Sequence, residues 1–254
     1  MNAATAENEA VRPSAWAGVL VPPSNPSVEP EMQRLLHPAM TLYAARLATM
    51  PGTTLEERNR RYIELYRNAV TAFGELHLAA LVIGLTGPSY RLLPEGDAAL
   101  SRELSAHAGK PVATASLAIA EALSSLGARR LCLVSPYPDW LTAEATAYWR
   151  AAGYEVVQVI KMSDTFRAYE LTHDEVAAAL SRVDHGRIDA TVMSGTGMLT
   201  LPAILAARKP GTRPILSSNL CSAWWLLRAA AQHAATPVFD RAVPELAATL
   251  RATQ

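Results

Sequence analysis

The sequence predicts an α/β fold made of two similar lobes, each built on a parallel sheet, with a cleft between them. Three segments of the first half recur in the second half: residues 21–25 at 134–138, 82–87 at 192–197, and 111–116 at 214–219. The offsets are 113, 110 and 103 residues. Each segment contains an apolar run, typical of a buried strand, with small, hydroxyl or amide residues at its end, as in ligand loops at the carboxyl edge of a parallel sheet. Two facing lobes of this kind would enclose one site that both of them line.

Length and composition fit this fold and exclude several classes of function. The 254 residues are enough for two lobes of roughly 110 residues, each able to bury its own core. Half of the residues are hydrophobic, 18% are charged, and 23 basic residues balance 23 acidic ones. A formal charge of zero indicates neither a nucleic-acid partner nor an anionic membrane. No apolar stretch approaches the roughly 18 to 20 residues that span a bilayer.

The two cysteines, Cys132 and Cys221, predict neither a disulfide framework nor a zinc site. They form no CxxC motif and no cluster with histidine. We therefore expect a reducing, cytoplasmic location. Residues 1–14 lack the basic and apolar regions of a signal peptide, which predicts a frayed, disordered tail.

Predicted strands and helices alternate along the chain, which indicates βαβ units and parallel sheets. The strands are predicted at residues 17–21, 42–47, 79–83, 112–114, 131–134, 155–160, 190–193 and 214–216. The helices are predicted at residues 55–73, 98–108, 117–126, 142–152, 174–183 and 222–231. The order restarts at Gly127, so residues 15–126 are assigned to the N-terminal lobe and 127–213 to the core of the C-terminal lobe. The N-terminal lobe can also receive residues 214–254, which leaves the crossover between the lobes open.

The predicted helix boundaries carry suitable residues. Thr54 and Thr172 each precede acidic residues, which predicts helix N-caps. Gly109 and Gly153 stand where helices end before the next strand. The prolines at positions 88, 94, 136, 138 and 202 fall in predicted loops or first turns, where a missing N–H costs little.

The loop after the first strand, residues 22–29, is the first candidate for ligand binding. Ser24 and Asn25 lie ahead of a helix, where short polar side chains and the helix N-terminus can donate hydrogen bonds to a carboxylate or phosphate. Because two prolines of this loop lack backbone donors, Asn25 would supply much of the binding. The alternative is an ordinary turn with a helix N-cap.

Two loops that follow matching strands each carry one threonine. Thr86 lies in LTGPSY at residues 85–90, and Thr196 lies in GTGM at residues 195–198. Facing threonines can hydrogen-bond opposite sides of a small substrate. For either loop alone, the simpler interpretation is structural: the glycines allow close packing and the threonine caps a helix. The occurrence of the two threonines at matching positions of the repeat favours a functional role.

Tyr137 lies between two prolines at the predicted site. A phenol, with an ordinary pKa of about 10, can bind a carboxylate, or act as an acid or base if its pKa is lowered. Alternatively, Tyr137 packs on the helix that follows, and Asp139 is expected to cap that helix. The six histidines lie on predicted helices or their flanks and are interpreted as surface or packing residues. Trp224 and Trp225 bury large areas and indicate either core or a dimer face, so a homo-oligomer is expected.

Taken together, the motifs resemble the aspartate/glutamate racemase superfamily, in its maleate cis-trans isomerase and arylmalonate decarboxylase branch. The resemblance covers nearly the whole chain after the tail. Its most specific parts are VPPSN at 21–25 with Glu29, PVATAS at 111–116, LGARR at 126–130, SPY at 135–137, SGTGMLTL at 194–201 and SSN at 217–219. It implies two Rossmann-like lobes with parallel sheets, related by pseudo-twofold symmetry, and an active-site cleft between them. It implies no cofactor, in agreement with the absence of GxGxxG, P-loop, GxSxG and HExxH motifs.

The resemblance also implies one or two cysteines at the ends of the matched strands, acting as thiolate base, nucleophile or proton donor. Here those positions fall at or beside Leu85 and Gly195, and no neighbour is cysteine. Cys132 lies inside a predicted strand and Cys221 beyond residue 219, so neither fits those positions. A two-thiol mechanism is therefore not expected.

The binding part of the family site does carry over. Asn25 and Tyr137 match family residues that hold substrate carboxylates, whereas Thr165 replaces an asparagine of the isomerase branch. We expect catalytic roles for Tyr137, Thr86 and Thr196. We expect substrate contacts from Ser24, Asn25, Gly87, Ser89, Ser116, Gly195, Gly197, Ser218 and Asn219, and no metal ligands.

Three functions remain open at this stage. The first is a cofactor-independent enzyme of isomerase, lyase or hydrolase type that acts on a small carboxylate or dicarboxylate without cysteine. Because hydroxyl groups are poor bases, it would need a partner such as Asp139, Asp164 or His173. The second is a carboxylate-binding pseudoenzyme that has lost the thiol chemistry. The third is a family enzyme in which Cys132 or Cys221 reaches the cleft.

Overall fold

Strands and helices alternate throughout the structure, a computed structural model that describes residues 15–232 and 235–252. The strands are β1 (Ala15–Val21), β2 (Met40–Arg46), β3 (Ala80–Ile83), β4 (Val112–Thr114), β5 (Arg130–Ser135), β6 (Glu155–Lys161), β7 (Ala190–Met193) and β8 (Ile215–Ser217). The helices are α1 (Val28–Leu36), α2 (Leu55–Ala69), α3 (Gly87–Ala108), α4 (Ala115–Ser125), α5 (Asp139–Ala151), α6 (His173–Ser181), α7 (Leu201–Ala207), α8 (Ser218–Ala229), α9 (Pro237–Ala242) and α10 (Pro244–Arg251). The tail predicted at residues 1–14 lies outside the described residues.

The two halves of the chain form two parallel sheets with the same topology. The strand order is β2-β1-β3-β4 in the first sheet and β6-β5-β7-β8 in the second. Every strand pair within them is parallel. The predicted α/β class with two related lobes is therefore confirmed. Among the described helices, none is both long and apolar enough to cross a membrane.

All eight predicted strands are present, whereas the helices differ more. The helix predicted at 98–108 begins earlier, at Gly87, and is broken at Leu93, whose φ of 58° is not helical. Pro94 explains the break, because proline disfavours a helical conformation in the residue before it and lacks an N–H. The short helices α7, α9 and α10 were not predicted, since they carry too few turns to show a period.

The predicted helix ends at threonine and glycine residues are confirmed. Thr54 and Thr172 each form a capping box with the glutamate three residues later. Gly109 ends α3 in the left-handed conformation. Gly153, which also has a positive φ, directly follows Ala152, the C-cap of α5. The predicted cap at Asp139 is wrong. Asp139 is the first residue of α5 after Pro138, makes no cap, and forms an ion pair with Lys161.

The lobes share one continuous core. Along β3, Ala80 and Val82 pack in a cluster that extends into the second sheet, whereas Leu81 and Ile83 face a second cluster beneath α2. Both faces of the first sheet are thus buried, as expected of a parallel sheet. The C-terminal segment is divided between the lobes: β8 completes the second sheet, and α8 packs against α1 and α4 of the first lobe.

Trp224 and Trp225 of α8 belong to the core of the chain. Their indole N–H groups donate to Thr249 Oγ1 (3.0 Å) and Glu121 Oε1 (3.1 Å). Trp224 is 1% exposed and Trp225 9%. The core interpretation of this pair therefore holds, and the expected homo-oligomer stays a prediction without support from these two side chains.

Asp97 of α3 is a carboxylate buried at the contact between the lobes. Its Oδ2 accepts hydrogen bonds from Thr114 Oγ1 (2.8 Å) and, in the other lobe, from the Tyr148 hydroxyl (2.9 Å). Its Oδ1 has no partner among the described residues. Burial raises the pKa of this carboxyl, against the opposing effect of its hydrogen bonds.

We expect Asp97→Asn to make stability less dependent on pH. A carboxyl whose pKa is raised by folding holds its proton more tightly in the folded chain. The free energy of unfolding therefore falls as the pH rises from the unfolded pKa, about 4, through the folded one. The variant should therefore be more stable than the wild type at pH 7, and the difference should shrink towards pH 4. Urea unfolding at pH 4 and pH 7 measures it, with Glu95→Gln, an exposed acid on the same helix, as control. A variant that is less stable at both pH values would show that the carboxylate stabilises the lobe contact.

Candidate active site

A cavity of about 300 Å³ lies where the carboxyl ends of strands from both sheets meet. The loops after β1, β3, β5 and β7 form its wall, together with one face of α2 and the segment after β6. Ligand sites of parallel sheets lie at this edge. Nowhere in the described chain do three or more histidine, cysteine, aspartate or glutamate side chains converge as metal ligands would.

A pair of hydroxyl groups joins the two lobes in the cavity wall. Thr86 Oγ1, just before α3, lies 2.8 Å from the hydroxyl of Tyr137, just before α5. Phe166 stacks on the Tyr137 ring, at an interplanar angle of 12°. Burial, the largest effect, raises the pKa of Tyr137 well above its ordinary value. Tyr137 is therefore a neutral hydrogen-bond donor at physiological pH and a poor base.

Thr196 and Asn25 form a second link between the lobes. Asn25 Nδ2 donates to Thr196 Oγ1 (3.1 Å), and Thr196 Oγ1 donates to the Gly84 carbonyl (2.8 Å). Asn25 Oδ1 accepts from the backbone N–H groups of Ser27 (2.9 Å) and Val28 (3.2 Å) at the start of α1. Both side chains line the cavity, but most of their hydrogen-bonding capacity is used within the protein.

Gly195 is in contact with the Tyr137 hydroxyl. Its φ is +86°, and a Cβ built on it would lie 2.8 Å from the Tyr137 oxygen. The tyrosine hydroxyl thus occupies the space that a side chain at residue 195 would need. In the matching loop of the other lobe, Leu85 lines the cavity with an apolar side chain.

Neither cysteine belongs to the cavity wall. Cys132 lies within β5, where burial raises the pKa of its thiol to about 12. Cys221 lies within α8, and burial raises the pKa of its thiol further. Both thiols are therefore protonated at neutral pH, so the geometry gives no support to a cysteine that reaches the cleft.

The structure divides the predicted substrate contacts into two groups. Ser24, Asn25, Gly87, Gly195 and Gly197 line the cavity, as do Thr86, Tyr137 and Thr196. The remaining four lie buried behind the wall: Ser89, Ser116, Ser218 and Asn219. Ser218 donates to the Met193 carbonyl (3.3 Å), and Asn219 is bonded to Glu31, so those two have structural partners. Their roles toward a substrate stay predictions.

None of the three acid or base partners suggested for the hydroxyl groups lies at the cavity. The side chains of Asp139 and Asp164 are 87% and 94% exposed and pair with Lys161. His173 is an exposed residue at the start of α6. The expectation that one of them assists Tyr137 or Thr86 is therefore wrong.

Sequence reasoning missed the face of α2 that lines the cavity. Arg58, Asn59 and Tyr62 come from this face, and Phe166 and Tyr169 approach from the segment after β6. Arg58 is the one charged residue of the described wall. The helix itself was predicted, but a search for polar residues at strand ends could not show that one of its faces lines the site. The position of that face depends on tertiary packing. The one available signal was the spacing of Arg58, Asn59 and Tyr62, which places them on adjoining positions of a helix.

Glu31 of α1 supports the cavity from behind. Its Oε1 accepts from the backbone N–H of Leu201 (2.6 Å), and its Oε2 accepts from Thr200 Oγ1 (2.9 Å) and Asn219 Nδ2 (2.8 Å). The same Asn219 amide donates to the carbonyl of Thr196 (3.2 Å) in the cavity wall. A carboxylate of the first lobe thus fixes a loop of the second.

We expect Glu31→Ala to lower the free energy of unfolding by about 2 kcal/mol, because three buried donors lose their acceptor. Chemical denaturation measures this, and Gln33→Ala, exposed on the same helix, is the matched control. Equal stability of the two variants would mean that the Glu31 hydrogen bonds gain nothing over their cost of burial.

Comparison with known proteins agrees with this geometry. A family model described as arylmalonate decarboxylase matches residues 17–242. A maleate isomerase of Nocardia farcinica (strain IFM 10152) is 27% identical over 238 residues, 87% of this chain and 92% of the relative. A maleate isomerase of Geobacillus stearothermophilus is 26% identical over 229 residues, 83% of this chain and 90% of the relative.

Solved structures show the same fold. The maleate isomerase Iso from Pseudomonas putida S16 has a TM-score of 0.82 at 19% identity, covering 92% of this chain and 99% of that chain. An arylmalonate decarboxylase has a TM-score of 0.73 at 23% identity, covering 89% of this chain and 99% of that chain. With its two matching sheets, and with a family model that matches most of its length, the chain belongs to the arylmalonate decarboxylase family, in the branch that also includes maleate isomerases.

Proposed function

We propose that this protein is a cofactor-independent enzyme of lyase or isomerase type that acts on a small carboxylate without a thiol. The observation that carries the proposal is the pair of hydroxyl groups, Thr86 and Tyr137, 2.8 Å apart in the cavity wall. Two adjacent donors from different lobes suit a carboxylate, which has two oxygens to accept them. Arg58 supplies a positive charge to the same cavity.

The relatives support the substrate class. The relatives are named maleate isomerase and arylmalonate decarboxylase, and both maleate and arylmalonates are small carboxylates. A Nocardia farcinica maleate cis-trans isomerase mutant has been solved with a covalently bound succinylcysteine intermediate. The present chain has Leu85 and Gly195 at its two matched strand ends, so its chemistry would differ from a covalent thiol route.

Among the reaction types, decarboxylation fits the cavity best. Racemisation and isomerisation need a base or a nucleophile, whereas the described wall contains no cysteine, histidine, lysine, aspartate or glutamate. Loss of CO₂ from a substrate with two carboxylates on its α-carbon needs neither a base nor a nucleophile at the outset. The bond from the α-carbon to the leaving carboxylate breaks, and its electron pair passes into the remaining carboxylate, which becomes an enediolate. Donors held at that oxygen stabilise the developing charge. The Tyr137 hydroxyl can then give its proton to the α-carbon and regain one from water.

The predicted roles are refined in this proposal. Tyr137 and Thr86 bind the reacting carboxylate, and Tyr137 supplies the proton. Thr196 and Asn25, whose hydrogen bonds are largely used within the protein, hold the lobes together around the substrate. The glycines at 87, 195 and 197 leave room for the side chains of Asn59, Tyr137 and Tyr169, which a Cβ at each position would meet within 3 Å.

The second candidate is a carboxylate-binding protein without catalysis. It is favoured by the high pKa of Tyr137, since a hydroxyl that does not ionise is an effective binder and a slow proton donor. It uses the same cavity and the same contacts as the enzyme.

A thermal-shift screen with small mono- and dicarboxylates, including maleate, malonates and amino acids, separates the candidates. A ligand at about a hundred times its Kd adds roughly 2.7 kcal/mol of stability, enough to see. Each stabilising ligand is then incubated with the protein and followed by NMR. Conversion establishes the enzyme, stabilisation without conversion favours the binding protein, and stabilisation by no carboxylate contradicts both.

A further inference from the structure

Asn59 of α2 places an unsatisfied hydrogen-bond donor in the cavity wall. The residue is 4% exposed, and its Nδ2 has no hydrogen-bond partner among the described residues. Four other polar side chains of the wall are paired with each other, Asn25 with Thr196 and Thr86 with Tyr137. A buried donor without an acceptor destabilises the unliganded protein, so this amide suits ligand binding better than support of the fold.

Gly87 allows the amide to lie against the loop that carries Thr86. A Cβ at residue 87 would lie 2.8 Å from Asn59 Nδ2, closer than a Cβ approaches a non-bonded atom, so a larger residue would displace the amide. Gly87 follows Thr86 directly and also lines the cavity. Gly87 thus brings the Asn59 amide next to the loop that carries Thr86, in the wall of the same cavity.

Arg58, the preceding residue of α2, adds a positive charge on the same wall. Its guanidinium forms no ion pair or side-chain hydrogen bond with any described residue. Its charge lowers the pKa values of Tyr62 and Tyr169, two other residues of the wall, against the larger effect of their burial. A carboxylate beside Asn59 would accept from the amide and be neutralised by this cation.

We propose that Asn59 and Arg58 form a second acceptor subsite that selects substrates with two carboxylates over those with one. The subsite rests on the proposed function, in which the Thr86–Tyr137 pair holds the first carboxylate. A ligand with a methyl group in place of the second carboxylate leaves the amide and the cation without a partner. Sites built on such donors discriminate strongly against analogues that lack the acceptor.

Isothermal titration with two matched ligand pairs tests the subsite. The pairs are maleate with isocrotonate and malonate with propionate, in which a methyl group replaces one carboxylate. We expect the wild type to prefer the dicarboxylate, and Asn59→Ala to weaken dicarboxylate binding roughly tenfold, the size of a hydrogen bond to a charged group. Monocarboxylate binding should not change. Arg58→Gln should weaken dicarboxylate binding severalfold and reduce its dependence on salt.

Controls come from the exposed side of the same helix. Asn68→Ala and Arg61→Gln remove the same chemical groups away from the cavity and should change neither ligand. Asn59→Leu retains the volume of the side chain without the donor. Thermal unfolding of the unliganded Asn59 variants should show no loss of stability, because no hydrogen bond of that amide is removed.

The outcomes separate the subsite from the proposed function. If the Asn59 and Arg58 variants keep the wild-type preference while Tyr137→Phe weakens all four ligands, the subsite is wrong and the proposed function stands. If the Asn59 variants unfold at lower temperature and lose both members of each pair equally, the residue is structural and the subsite is wrong. If the wild type binds none of the four, or Tyr137→Phe changes no affinity, both proposals fall together.

Discussion

Replacing Tyr137 with phenylalanine should lower kcat/KM at least about 100-fold on a substrate identified by the screen, because it removes one donor from a developing oxyanion and also the proton that the hydroxyl supplies. The ring and its stacking on Phe166 remain, so the variant should stay folded. Only the hydroxyl that lies 2.8 Å from Thr86 Oγ1 is lost. Steady-state kinetics measures the effect. If the cavity only binds, the wild type should convert no ligand, and the same variant should lower affinity alone.

Tyr154→Phe is the matched control for Tyr137→Phe. It removes a hydroxyl that donates to the Ala120 carbonyl (3.1 Å) away from the cavity. A double-mutant cycle with Thr86→Val adds a stricter test, because two groups that act on one carboxylate should show non-additive losses. Unchanged turnover in both single variants would remove Tyr137 and Thr86 from the catalytic machinery.

Replacing Gly195 with alanine should lower the free energy of unfolding by about 3 kcal/mol. The positive φ of +86° costs a side chain roughly 1–2 kcal/mol, and the Cβ must displace the Tyr137 hydroxyl 2.8 Å away, which overpacks the site at about 1–3 kcal/mol. Because the hydroxyl moves, activity or carboxylate binding should fall by at least as much as in Tyr137→Phe. Chemical denaturation and ligand titration measure the two effects.

Gly211→Ala separates backbone strain from collision. Gly211 has almost the same φ, +84°, but a Cβ there would meet nothing within 4 Å. We expect Gly211→Ala to lower the free energy of unfolding only by the cost of placing a side chain at a positive φ, roughly 1–2 kcal/mol. Ligand binding should not change. If the two variants lost the same stability and both bound carboxylates normally, the contact between Gly195 and Tyr137 would have no functional weight.

The fold could be predicted because its strands carry their own signal. Each is a short apolar run bounded by turn residues, and the repeat of three such runs with their loops indicated two lobes. Helices were harder to delimit. The start of α3 was missed because the break at Leu93 and Pro94 interrupts the helical period, and α7, α9 and α10 are short. The packing of α8 against α1 and α4 depends on long-range contacts that no local pattern contains.

The candidate site could be predicted as far as it follows strand ends. Asn25, Thr86, Tyr137 and Thr196 stand directly after buried strands, and the structure brings all four to one cavity. Whether a side chain in such a loop is free for a ligand could not be predicted. Ser218 and Asn219 have partners behind the wall because residues from distant segments, such as Glu31, meet them only in the folded chain.

The α2 face shows a further limit of sequence reasoning. Asn59 and Arg58 lie near the start of the amphipathic helix α2, where polar residues ordinarily face solvent. Their place in the wall depends on how α2 packs on the face of the first sheet. The same holds for Gly87, whose need for a small residue comes from the Asn59 amide and not from its own backbone.

Conversion of a stabilising carboxylate by a cysteine-free variant, followed by NMR, tests the proposed chemistry most directly. The variant carries Cys132→Ala and Cys221→Ala, two substitutions inside β5 and α8. We predict that it converts the substrate at the wild-type rate per folded molecule, because neither thiol lines the cavity. Loss of conversion in a variant that folds and still binds the ligand would contradict thiol-independent catalysis and return the chemistry to a cysteine.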